Sequence, residues 1–249
     1  AVLLFRIVLS EQTVGVVGLM SALGQSNVQM RTLFALVSAG LLTGFVVAAV
    51  MAVKRGAPLL SVVAVALVLC AAWMDSHATS LSRPEQFYVS QTLLAVGLGL
   101  FFSASLLQGF GPVMEDGGRQ LVSFLAAFSA AQFLGSLLGS AGVGTWVARR
   151  QSFHYATLVE HLEMGDPLVA QRMAQLAGSV ARVVTEPAAR AQQGLALLHQ
   201  QITRESVVLA YDDLFASTAA LAAVMLLWLT VLAIRGLRRQ SAAMLPPAA

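Results

Sequence analysis

"LFALVSAGLLTGFVVAAVMAV", Leu33 to Val53, is an apolar run without one charged residue. An α-helix rises about 1.5 Å per residue and a bilayer's hydrocarbon core is about 30 Å thick, so about 20 such residues make one crossing. In a soluble protein the run would need polar surface elsewhere in the chain to cover it. The chain does not hold that surface. Of its 249 residues 57% are hydrophobic and only 11% charged, against about 25% charged in soluble domains. Mean hydropathy is +0.77. The reading is therefore a membrane helix, with lipid as the solvent for most of the chain.

Five further runs have the same character: Val2–Ser21, Pro58–Met74, Phe87–Phe110, Leu121–Val147 and Leu214–Ile234. The expected fold class is an all-α membrane protein of six transmembrane helices, approximately 2–21, 33–53, 58–74, 87–110, 121–147 and the last within 211–240. A polar helical loop, 148–210, precedes the last span, and a tail, 241–249, follows its basic end. Placing both ends in the cytoplasm puts Lys54, Arg55, Arg119, Arg235, Arg238 and Arg239 in the inner loops and end, and only Arg31 and Arg83 in short outer loops. That is the positive-inside bias. Trp73, Tyr88, Trp146 and Tyr211 fall at outer ends and Trp228 near an inner one, as an interfacial belt requires. The net charge of +3 then reflects orientation in the membrane, and nucleic acid is not an expected partner. The lone Cys70 lies in an apolar run, which excludes a disulfide framework. The chain opens on Ala1, already inside an apolar segment and without a cleavable signal pattern, so the expectation is the C-terminal part of something longer.

Two charges interrupt these runs, Arg6 and Glu11, both in the first. Counting back from an outer end near Leu23, Glu11 lies roughly 18 Å in, near midplane, and Arg6 roughly 26 Å in, close enough to the inner surface to snorkel. Arg6 reads as an inner anchor or as a charge partner. Glu11 reads as the candidate for proton or charge coupling, because a carboxylate buried in lipid ionises only if it faces a cavity, a partner or a proton path. The alternative is a neutral glutamic acid hydrogen-bonded to a neighbouring helix. Gln91, Gln108, Ser129, Gln132 and Ser136 are polar side chains within spans, and are candidates either for a substrate cavity or for helix–helix hydrogen bonds.

"FLGSLLGSAGVG" (Phe133 to Gly144) spaces Gly135, Gly139 and Gly142 by four and three, a small-residue face for close helix packing. In the polar segment, "GDP" at Gly165–Pro167 and "TEP" at Thr185–Pro187 are helix starts, with Asp166 as a cap and a proline in each first turn. Val169, Met173, Leu176 and Val180, then Leu195, Leu198 and Ile202, recur at helical spacing. Two short amphipathic helices leading into the last span are expected. They would pack on the protein's own outer surface, lie in the interface, or dock a partner. Tyr211–Asp213 is expected to cap and anchor the last helix at its positive N-terminal end. His154 and His161, with Glu160 and Glu163, are too widely spaced for a zinc site, and no metal or cofactor is expected.

Several phrases carry a resemblance. "LGQSNVQMRTLFALVSAGLLTGFVVAAVMAVKR" (Leu23–Arg55), "RPEQFYVSQTLLAVGLGLFF" (Arg83–Phe102), "ARRQSFHYATLVEHL" (Ala148–Leu162) and "QQITRESVVLAYDDLF" (Gln200–Phe215) are similar to loops and helices of drug:proton antiporters of the EmrB/QacA type, in the major facilitator superfamily. The likeness covers nearly the whole chain. It implies the C-terminal half of a transporter bundle in the bacterial inner membrane. That half would work with an N-terminal half to export amphipathic small molecules against inward proton flow, and the EmrB type also works with a periplasmic adaptor. Gln132 stands where many relatives carry an arginine, and "AVMAVKRGAPLL" (Ala49–Leu60) keeps only a faint version of their basic loop. The competing expectation is a non-transporting scaffold or adaptor-docking subunit. An enzyme is not expected, because the runs contain no paired carboxylates and no Ser/His/Asp set.

Overall fold

The computed structural model of the chain describes residues 1–10, 14–55, 57–160, 162, 167–182 and 184–243. Among them all regular structure is helical: α1 (Val2–Val8), α2 (Val16–Ala22), α3 (Arg31–Arg55), α4 (Ala57–Asp75), a 3₁₀ turn at Pro84–Phe87, α5 (Tyr88–Glu115), α6 (Leu121–Glu160), α7 (Pro167–Ser179) and α8 (Pro187–Ala243). Five helices, α3, α4, α5, α6 and α8, are long and apolar enough to cross a membrane. The chain is thus an all-α membrane protein. The expected first span, 2–21, differs from the rest. It is represented by two short helices, α1 and α2, with Val14 and Gly15 in π-helical turns ahead of α2. Glu11 lies outside the described residues, as do His161, Glu163 and Asp166.

Packing follows the small residues. In lipid, helices gain little hydrophobic energy by meeting, so close van der Waals approach decides which faces touch. Gly40 and Gly44 of α3, four apart, lie on α5: a Cβ at Gly44 would stand 2.5 Å from the Val96 carbonyl oxygen, and one at Gly99 of α5 only 2.7 Å from the Leu41 oxygen. Gly97 presses α5 onto α4 in the same way, with the Ala64 oxygen 2.9 Å from where its Cβ would be. The helices follow one another in space as α3, α5, α4, α8, α6, and α1 is set against α6, α8 and α5. Phe5 of α1 stacks on Phe101 of α5 with ring centroids 3.6 Å apart. Leu60, Val65, Leu94, Leu100 and Phe101 join Phe5 in one buried cluster. A second cluster, with Val16, Leu19, Met20, Met30, Phe87, Tyr211 and Phe215, fills the bundle toward α7. The turn between α5 and α6 needs its glycines, since Gly117 and Gly118 have φ of +67° and +75°.

The polar segment is not a separate loop. α6 continues unbroken to Glu160, and α8 begins at Pro187, far ahead of its apolar part. Both helices leave the bundle at the same end. α7 folds back on α8 there, with Ala177 and the Met173 oxygen against Gly194. The apolar faces read at Val169 and Met173 and at Leu195, Leu198 and Ile202 turn toward each other, with Tyr155 and Val159 of α6 beside them. So α7 is one short amphipathic helix, as expected. The second is the first stretch of α8 itself.

Candidate functional site: a cavity around Arg6

One face of α6 repeats polar residues at Ser129, Gln132 and Ser136, three and four apart, and all three line a cavity of about 560 Å³. The facing wall comes from Leu41 and Phe45 on α3 and from Leu98 and Phe102 on α5. Phe102 sets its ring edge-on to both Phe45, at 6.0 Å, and Phe128 of α6, at 5.4 Å. Such T-shaped pairs hold aromatic side chains in defined positions. The lining is therefore mostly apolar and aromatic with a few polar groups, the usual character of a small-molecule site, and the volume falls in the usual range of about 300–1,000 Å³.

Arg6 completes the wall. Its position follows from the glycines of α6. A Cβ on Gly135 would lie 2.8 Å from the Arg6 Cβ and 2.9 Å from the Leu3 oxygen, so only glycine admits α1 at this distance. Gly139, one turn on, gives the same room to Ser10 and Ile7. Gly142, by contrast, has open space where a Cβ would be. Of the three expected packing glycines, Gly135 and Gly139 hold α1 and Gly142 holds nothing, because the third position turns past the line of contact.

This packing also revises the depth of Arg6. It stands level with Gly135, and the midpoint of the apolar run 121–147 is Leu134. The residues across the cavity, Leu41 to Phe45 and Leu98 to Phe102, likewise bracket the midpoints of their runs, Thr43 and Leu98–Gly99. Arg6 is thus level with the middle of the apolar runs and not at an inner end. A straight helix back from Leu23 would set Arg6 nearer the inner end, but Val14 and Gly15 are in π-helical turns ahead of α2. Beyond its helix backbone, Arg6 takes one hydrogen bond on its main-chain oxygen, from Ser10 Oγ at 3.3 Å. Among the described residues the ion pairs all fall on Asp213, and none reaches the Arg6 guanidinium.

The two other glutamines are elsewhere. Gln91 of α5 is 2% exposed and donates through Nε2 to Asp75 Oδ2 of α4 at 2.7 Å. Gln108 donates through Nε2 to Ser61 Oγ at 2.9 Å and to the Ala57 oxygen at 3.3 Å. Both tie α5 to α4, and neither lines the cavity. They are the helix–helix hydrogen bonds of the two roles open to them.

Tyr211–Asp213 is also reassigned. These residues sit well inside α8, where every backbone N–H already has a helical partner, so they cap nothing. Asp212 accepts the backbone N–H of Ala78 at 3.2 Å, just beyond α4. Asp213 accepts Arg150 Nε at 2.6 Å and His154 Nε2 at 2.6 Å, both from α6. Sequence reasoning missed this cluster, although Arg150 and His154, four apart, share a helical face. It missed Asp75 too, which lies one residue past the expected end of its run. The phenylalanines were hidden by their setting, since an aromatic residue in an apolar run looks the same whether it faces lipid or a cavity.

The chain matches no protein-family profile, no curated protein and no solved structure.

Proposed function

We propose that the chain is one half of a proton-coupled secondary transporter, the C-terminal half-bundle of a major facilitator drug:proton antiporter, exporting amphipathic small molecules across a bacterial inner membrane. The observation that carries this reading is the Arg6 cavity. It opens between α1, α3, α5 and α6, level with the middle of the apolar runs, the depth at which alternating-access transporters bind substrate between two rocking bundles. A charge at that depth costs roughly 3 to 10 kcal/mol, depending on how the cost is measured, and marks a functional site by default. α6 presents exposed Phe133, Leu134, Leu137 and Leu138, a surface for lipid or for an N-terminal half. Ser129, Gln132 and Ser136 would orient the substrate, and Glu11 remains the coupling candidate.

The test is accumulation of a fluorescent amphipathic substrate in cells expressing the complete gene, with and without a proton uncoupler. Uncoupling is expected to abolish extrusion. Extrusion unchanged by the uncoupler would remove the antiport mechanism.

The extension of α6 and α8 beyond the bundle, braced by α7, supports a second reading, a non-transporting scaffold or adaptor-docking subunit. Energy-dependent extrusion that survives deletion of 160–186 would count against it.

A further inference from the structure

The chemistry of the cavity selects among amphipathic solutes. Its walls are phenylalanine and leucine, its neutral polar groups are Ser129, Gln132 and Ser136, and among the described residues its only charged lining group is the guanidinium of Arg6. No acidic side chain is among the described lining residues. Arg6 cannot relieve its own charge. It stands level with the middle of the runs, roughly 15 Å from either headgroup region, beyond the reach of a snorkelling side chain. No carboxylate pairs with it among the described residues. A solute cation entering here would meet a like charge at low dielectric, where Coulomb terms are several times larger than in water. An anion would meet the planar, five-donor fork that suits carboxylates and sulfonates.

We propose that this cavity takes organic anions, molecules with an aromatic or otherwise apolar body and a single carboxylate- or sulfonate-type charge seated on Arg6. The body lies against Phe45, Phe102 and Phe128, which line the space and are held edge-to-face through Phe102. Gln132 and Ser136, on the same face of α6, bear on the polar end. The proposal rests on reading the cavity as a transport site and narrows that reading to one charge class.

The experiment uses three solutes with one body and different charge: 2-naphthalenesulfonate, 2-naphthalenemethanol and (2-naphthylmethyl)trimethylammonium. Binding is measured by calorimetry on the complete protein in nanodiscs of uncharged lipid. The sulfonate is expected to bind at least about 30-fold more tightly than the ammonium, from the known cost of breaking or reversing a desolvated charge pair. Arg6→Gln should remove that preference and leave binding of the neutral alcohol within about threefold, while Arg6→Lys should restore part of it. Gln132→Glu, which sets a like charge beside the polar end, should weaken the sulfonate more than the alcohol. Equal or tighter binding of the ammonium overturns the proposal, as does an unchanged sulfonate affinity in Arg6→Gln, or no binding of any of the three. Counterflow in proteoliposomes separates the two levels. Binding of the sulfonate with no transport of any solute removes the transporter and keeps the anion site. Transport of the ammonium but not the sulfonate removes the anion site and keeps the transporter.

Discussion

Gln91 and Asp75 form a buried pair across the α4–α5 contact, the amide donating 2.7 Å to the carboxyl, with each residue only 2% exposed. Polar groups at this burial are tolerated where they are hydrogen-bonded, and removing one partner costs the desolvation of the other. Gln91→Leu takes a donor from Asp75 and adds no packing defect larger than a small change of shape. It is expected to lower the stability of the detergent-solubilised protein by about 1–3 kcal/mol, read as a fall in the thermal midpoint. Asp75→Asn keeps an acceptor oxygen in place and should cost less. Equal losses from both would mean that Gln91 acts through packing and not through its hydrogen bond.

The crossing of α3 and α5 depends on glycine in a way that one methyl group tests. A Cβ at Gly44 would meet the Val96 oxygen at 2.5 Å and the Gly99 Cα at 3.0 Å, and neither belongs to a flexible side chain. Gly44→Ala must therefore part the two helices, at a cost of about 1–3 kcal/mol for overpacking. Gly142→Ala meets nothing within 4 Å and should be neutral or slightly stabilising, since alanine favours the helix by up to about 1 kcal/mol. Thermal stability and expression of the two variants, side by side, provide the check.

Those two glycines also show what was legible in the chain. Hydropathy located α3, α4 and α5 to within a few residues, because a bilayer needs a set length of apolar helix. It did not find the ends of α6 and α8. Past Val147 the sequence turns polar without a proline or glycine before Glu160, and α8 from Pro187 meets only Gly194 before its apolar part at Leu214. A change of solvent is not a stop signal, so the helices run on. In the site, Ser129, Gln132 and Ser136 were legible as polar residues within a span. The depth of Arg6 was not, because it follows from which glycines of α6 admit α1. Gln91 and Gln108 were visible as polar residues in spans, but one sequence does not say which helix face meets a neighbour and which meets a cavity.

Asp213 gathers Arg150 and His154 onto one carboxylate oxygen and so fastens the extended part of α6 to α8. The pair is about a third exposed, with side-chain exposures of 36% for Arg150 and 32% for Asp213. Exposed ion pairs are worth about 0–1 kcal/mol each, so Asp213→Asn should leave global stability nearly unchanged. Its effect should be local: faster amide hydrogen exchange over 148–160, with the spans unaffected. The difference from wild type should shrink at about 1 M salt, where screening falls to a few ångströms. A global loss of stability would mean that the cluster holds the bundle as well as its extension.

Arg6 and the stability of the bundle should oppose each other. The Arg6 charge lies level with the middle of the apolar runs and without an acidic partner among the described residues, so the fold carries a desolvation cost that leucine would not. Functional groups of this kind are kept at the expense of stability. Arg6→Leu, which retains most of the side-chain stem against Gly135, is therefore expected to raise the stability of the complete protein by at least about 1 kcal/mol. It should at the same time abolish the anion preference of the cavity. Thermal unfolding in detergent and the sulfonate titration, run on one preparation, measure both. Lower stability together with lost binding would show instead that Arg6 is paired in the complete protein, with its charge serving the structure first.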